Sequence, residues 1–170
     1  MVTYQIGALD AFCKAAGIKM QHVKPHGAMY NMAAKDEALA KAICQAIYEY
    51  DKDLILMALA GSQMITQAKA MGLKAAAEVF ADRAYEEDGT LVARSKPGSM
   101  IHDEEEAVSR VVRMIKEGKV TAITGKDIDI TADSVCVHGD GPKALAFVQK
   151  LRDTFDAEGI RIVPLTEVVE

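Results

Sequence analysis

Gln21-His22-Val23-Lys24-Pro25-His26-Gly27-Ala28-Met29-Tyr30-Asn31 decides how this chain reads. Strand-forming residues run into it and a helical pattern follows. Pro25 drives Lys24 towards an extended backbone, and Gly27 permits a conformation that other residues resist. The stretch therefore predicts a shaped polar turn at the end of a strand, carrying Lys24, His26, Tyr30 and Asn31. In an α/β protein, strand ends are where sites are built.

Working outward, the rest of the chain keeps the same alternation. Ile6, Leu9, Phe12, Cys13 and Ala16 recur at helical spacing over residues 3–16, with Gly17 placed to end that helix. Residues 18–24 read as a strand. Leu39, Ala42, Ile43, Ala46, Ile47 and Tyr50 then stripe a helix running to about Tyr50. Residues 53–59 form a nearly continuous apolar run, as expected of a strand covered on both faces, and Gly61-Ser62 turns into a helix capped by Ser62. Gly72 follows that helix, and residues 74–80 read as the next strand because of their position between helices.

Residues 81–101 break the rhythm with charges, glycines and Pro97, a length that often marks a functional loop. Asp103 and Glu106 resemble a capping box ahead of the amphipathic stripe Ala107, Val108, Val111, Val112 and Ile115, which Gly118 closes. Residues 120–130 predict two short strands about Gly125-Lys126, and 135–138 a further buried strand. Pro142 suits a first helical position, Gly159 stops the helix, and 160–163 predict a last strand. Parallel strands with helices outside are the expected architecture, with five strands available to one sheet.

Length and composition bound the rest. The 170 residues, half of them hydrophobic, suffice for a single α/β domain with a sizeable core. A net charge of −5 offers no footprint for nucleic acid. No apolar run reaches the ~20 residues of a membrane span, and no signal sequence follows Met1, so a cytoplasmic protein is expected. Cys13, Cys44 and Cys136 read as buried thiols rather than a disulfide or zinc framework.

Four segments carry polar groups at expected strand ends. His26 could serve as acid, base or ligand, and Lys24 could neutralise an anion or be a solvated charge. Tyr30 and Asn31 read first as holding the turn. Glu78, Asp82 and Arg83 form either an acid/base and carboxylate-recognition set or a surface ion pair, with Arg94 a weaker candidate. His138 and Asp140 precede a helix start, where an anion is favoured, although Asp140 would serve equally as a cap. His102 reads as structural. Walker A, Gly-x-Ser-x-Gly, Cys-x-x-Cys and His-Glu-x-x-His sequences are absent.

Taken together, Tyr4-Gln5-Ile6-Gly7-Ala8-Leu9, His22-Val23-Lys24-Pro25-His26-Gly27-Ala28-Met29-Tyr30-Asn31, Glu78-Val79-Phe80-Ala81-Asp82-Arg83-Ala84-Tyr85, Gly89-Thr90-Leu91-Val92 and Val137-His138-Gly139-Asp140 resemble the LamB/YcsF family. The resemblance implies a seven-stranded β/α barrel-like fold of the glycoside hydrolase/deacetylase type. It also implies a 5-oxoprolinase A-type role: ATP-dependent hydrolytic opening of 5-oxo-L-proline to L-glutamate, alongside B and C type partner subunits. ATP, with Mg2+, would be bound by the assembled complex, and no metal site is expected in this chain alone. His26, Glu78 and Asp82 are the expected catalytic groups. Lys24, Asn31, Arg83, Arg94, His138 and Asp140 are the expected contacts to substrate or phosphate.

The family pattern also has an N-terminal third, with an Asp-Leu-Asn-x-Asp-like segment, that has no counterpart here. A closed βα barrel typically takes about 250 residues. The chain therefore reads as the back two thirds of such a barrel, with an open sheet edge and exposed apolar surface. Pairing with a separate N-terminal fragment or with itself is the expectation. The alternatives are a non-catalytic binding or assembly module and, from fold kinship, a metal-dependent carbohydrate deacetylase-like hydrolase.

Overall fold

The computed structural model describes residues 1–139 and 144–169. Its internal contacts divide the chain into two compact units, residues 1–77 with 166–170 and residues 78–165. Strand β3 (Ala75–Phe80) runs from the first into the second.

The first unit opens with helix α1 (Val2–Ala15), after which Gly17 takes a φ of 69° and the Ile18 N–H returns to the Cys13 carbonyl, closing the helix in a left-handed turn. Strand β1 (His22–Val23) pairs in parallel with β2 (Ile55–Leu59), His22 opposite Ile55. Between them lie α2 (Gly27–Ala33) and α3 (Glu37–Tyr50), the latter capped by the Asp36 carboxylate, which accepts from Leu39 N–H at 2.9 Å. Helix α4 (Gln63–Met71) follows β2 under its Ser62 cap. Ile43, Ile47, Leu56, Leu59, Met64 and Ala68 are buried and form the core that these elements share.

The second unit is built on the last half of β3 and its parallel partner β6 (Ser134–Cys136), with Glu78 opposite Ser134 and Phe80 opposite Cys136. Helix α5 (Glu104–Glu117), capped by Asp103 as its capping box predicts, and helix α6 (Ala144–Ala157) pack over them. Their shared core is Ala81, Val108, Val111, Leu151 and Phe155, with Val135, Val137 and Ile160 against it. An antiparallel hairpin, β4 (Lys119–Thr121) and β5 (Asp127–Asp129), turns at Gly125, where φ is 88°.

Four of the expected elements come out differently. The turn after β1 is not a loop: residues 27–33 form α2, with His26 in the N-cap position. The strand expected over 18–24 forms a ladder only at His22–Val23, which β2 pairs along one side. Residues 160–163 are strand-formers by composition yet make no ladder, so the parallel sheet has the order β1-β2-β3-β6 and four strands rather than five. A strand is stabilised by its neighbours, and among the described residues neither segment has one to complete it. The apolar stripe of α1 is the fourth difference. Ile6 is buried, but Leu9 and Phe12 face solvent.

Candidate functional site

In the second unit, register assembles the site. Because Phe80 lies opposite Cys136 in a parallel pair, the residues two places beyond each strand, Asp82 and His138, come side by side. His138 Nδ1 lies 2.7 Å from Asp82 Oδ2. An ionised carboxylate can only accept, so Nδ1 carries the proton and Nε2 is left as the basic nitrogen. Nε2 faces the exposed Arg94 at 3.5 Å from its Nη2, and the Phe80 ring, 5.9 Å away centre to centre, flanks the imidazole. Asp82 and His138 keep 22 % and 30 % of their side chains exposed, so the pair stands at the surface of the unit.

Residues 81–101, expected as a functional loop, are tied down rather than free. The Arg83 guanidinium is buried and donates to the Val92 carbonyl at 2.6 Å and the Ser99 carbonyl at 3.4 Å. The Ile101 N–H bonds the Asp82 carbonyl, and Arg110 of α5 donates to the Arg83 carbonyl. Ser99 Oγ in turn donates to the Arg94 carbonyl, so Arg83 indirectly sets the stretch that carries Arg94. Burial first, and then the nearby Arg94 charge, push the Arg83 guanidinium below its ordinary pKa, while Asp82 works the other way. Tyr85 is fully buried, and its hydroxyl accepts the Phe80 N–H at 2.8 Å, bracing the strand end beside Asp82. Burial drives the Tyr85 phenol well above its usual value, so it stays protonated. Sequence reasoning missed Tyr85, although an aromatic with a polar tip three residues past Asp82 was the available signal.

Glu78 is buried on β3, with 2 % of its surface exposed. Asp140 lies outside the described residues. The first unit carries Lys24, His26 and Asn31. Lys24 Nζ stands 5.8 Å above the centre of the Tyr30 ring, His26 is exposed, and the Asn31 amide donates to the Gly27 carbonyl at 3.1 Å, holding α2 together. Among the described residues, no group of three or more His, Cys, Asp or Glu side chains could hold a metal ion. Nor is any helix among them long and apolar enough to cross a membrane.

What the arrangement can do is proton transfer beside an anion. A carboxylate orienting an imidazole is the arrangement of a general-base unit, and the guanidinium of Arg94, within hydrogen-bond reach of the second ring nitrogen, favours a negatively charged group.

The LamB/YcsF family profile matches residues 1–170. The chain belongs to the LamB/YcsF family. It is 66 % identical over 168 residues to the A subunit of 5-oxoprolinase from Clostridium beijerinckii, covering 99 % of this chain and 66 % of that protein. The corresponding 5-oxoprolinase A subunit of Pyrococcus horikoshii is 51 % identical over 168 residues, with the same coverage. Among solved structures, the lactam utilization protein of Thermus thermophilus superposes with a TM-score of 0.85 at 42 % identity, over 95 % of this chain and 64 % of that one. This likeness agrees with the α/β, barrel-like class that the motifs imply. The chain thus spans roughly two thirds of the length of these LamB/YcsF relatives.

Proposed function

We propose that this chain is a 5-oxoprolinase A-type component that opens the lactam of 5-oxo-L-proline to L-glutamate, consuming ATP, in a complex with B and C type subunits in the cytoplasm. The observation that carries the reading is the Asp82–His138 pair with Arg94 beside it, on a chain whose relatives are named as the A subunit of 5-oxoprolinase. A lactam carbonyl is a poor electrophile. Phosphorylation of its oxygen by ATP would activate it, and water would then attack the ring carbon. In this reading His138 Nε2 takes the water proton, and the resulting imidazolium, steadied by Asp82, returns a proton to the ring nitrogen as the C–N bond breaks. Cleavage of the C–N bond would leave the side-chain carboxyl as an acyl phosphate, which a second water would hydrolyse to release phosphate. Per turnover, 5-oxo-L-proline, ATP and two waters thus give L-glutamate, ADP and phosphate.

Arg94 is the group placed to hold the substrate carboxylate or the transferred phosphate. Arg83 acts from within, keeping residues 92–99 in place rather than meeting the ligand. His26 is the candidate second proton carrier and Lys24 a candidate anion contact. Glu78, being buried, is assigned to holding the strand rather than to open proton exchange. The donor set at the Asp82–His138 pair does not by itself fit Mg2+–ATP: its cation is one arginine and its carboxylate already holds an imidazole. The nucleotide is therefore assigned to the assembled complex, where the phosphoryl transfer would take place.

The test is reconstitution with B and C type subunits, following L-glutamate from 5-oxo-L-proline with and without ATP. Glutamate formation that requires both ATP and this chain is expected. Equal formation without this chain contradicts the reading and favours a non-catalytic assembly module.

A further inference from the structure

Helix α5 carries a charge in its buried stripe. Arg110 lies three residues after Ala107 and four before Met114, both buried, so it shares their side of the helix. It is half-buried, and burial holds its guanidinium below its ordinary pKa, with Glu106 and Tyr85 opposing only part of that shift. Among the described residues, its buried Nε has no hydrogen-bond partner. Desolvating a guanidinium and leaving one of its donors unmet costs stability that an apolar side chain of similar length would not cost.

The bond that Arg110 does make goes to the segment bearing Asp82. Residues 82–85 follow β3, and each of their carbonyls has a donor. Asp82 accepts from the Ile101 N–H at 2.9 Å, Ala84 from the Val92 N–H at 3.0 Å and Tyr85 from the Ile123 N–H at 2.8 Å. The Arg83 carbonyl instead accepts from Arg110 Nη2 at 3.2 Å, a side-chain bond among main-chain ones. The guanidinium of Arg83 is itself occupied by the carbonyls of residues 92 and 99. Asp82 has a short side chain, so its carboxylate goes where this backbone goes. The 2.7 Å bond between His138 Nδ1 and Asp82 Oδ2 would be lost on a shift of about 1 Å.

We propose that Arg110 is a positioning residue: from α5 it fixes the Arg83 carbonyl, and so holds Asp82 where its carboxylate orients His138. It acts through main-chain atoms rather than on the ligand. The effect on turnover rests on the proposed reading of His138 as the base, whereas the effect on the orientation of His138 does not.

The experiment is NMR of the 170-residue chain with nitrogen-labelled histidines, reading the tautomer of the His138 ring at a pH where it is neutral. His138→Gln identifies the signals of that ring. The parent should hold the Nδ1–H form that the Asp82 bond requires. Arg110→Met lacks a donor and Arg110→Gln is too short to reach the Arg83 carbonyl. Each should shift the ring towards the Nε2–H form of free histidine, cutting the Nδ1–H share at least about twofold. Arg113→Met controls for loosening of α5, since Arg113 pairs with Glu117 and Asp127 instead. Its His138 tautomer should stay that of the parent, whatever its urea midpoint. In the reconstituted complex, the Arg110 variants should lower kcat about tenfold with little change in KM. A folded Arg110 variant with the parent's tautomer, a parent already in the Nε2–H form, or an equal shift in Arg113→Met would each overturn the proposal. A shifted tautomer with unchanged turnover upholds the positioning of Asp82 and counts against His138 as the base.

Discussion

Asp82 and His138 meet because two strands pair in register and each chain continues two residues further, an arrangement that fixes the pair without long flexible side chains. Arg83 and Tyr85 support it from beneath through main-chain atoms of residues 80, 92 and 99. Outside this region, Cys44 makes a sharp residue-level prediction. Burial pushes its thiol up to about 11, and Sγ faces the Met64 carbonyl at 3.6 Å. An unfolded thiol titrates near ~8.5. The folded value is the higher, so the contribution to stability is complete below about pH 8.5 and is lost as pH rises towards 11. A thiol reagent at about pH 8 should therefore modify the half-buried Cys13 and Cys136 while sparing Cys44, which reacts only on unfolding. Mass spectrometry of the labelled peptides reads this directly, and labelling of all three at one rate would show that the α3–α4 packing is looser than described.

At the level of elements, local chemistry was legible where it is self-contained. Asp103, three residues before Glu106, announced α5, and its carboxylate caps that helix at 2.8 Å; Gly118 ends it at a φ of 64°. Replacing Asp103 with Ala should cost about 1 kcal/mol, measured as a shift in the urea midpoint. A change below a few tenths would mean that packing against α6 alone holds the helix. Elements whose form depends on a distant partner were not legible. Residues 160–163 are as strand-like as β2, but a strand needs a neighbour, and composition cannot say whether one is present. α2 went unread because Lys24, His26 and Asn31 resemble loop residues, and only the fold shows that residues 27–33 make a short helix beside α3. In the site, sequence placed Asp82, Arg94 and His138 at strand ends or loops. It could not show that strand register joins Asp82 to His138, or that Arg83, next to Asp82 in the chain, turns inward to the carbonyls of residues 92 and 99.

At the scale of the molecule, a LamB/YcsF chain presents the Asp82–His138 pair beside Arg94, and its span is roughly two thirds of its relatives' length. Family membership explains why the motifs occur together, and in the proposed reading His138 is the base that takes the water proton. The most direct measurement is the rate of ATP-dependent glutamate formation by the reconstituted complex carrying His138→Ala, Asp82→Asn or both. Loss of general-base catalysis predicts a fall in kcat of at least about 100-fold for His138→Ala. Asp82→Asn should also be slow, and the double variant little worse than His138→Ala, because the two side chains act as one unit. His138→Ala turning over within twofold of the parent, with normal folding, would contradict the central claim.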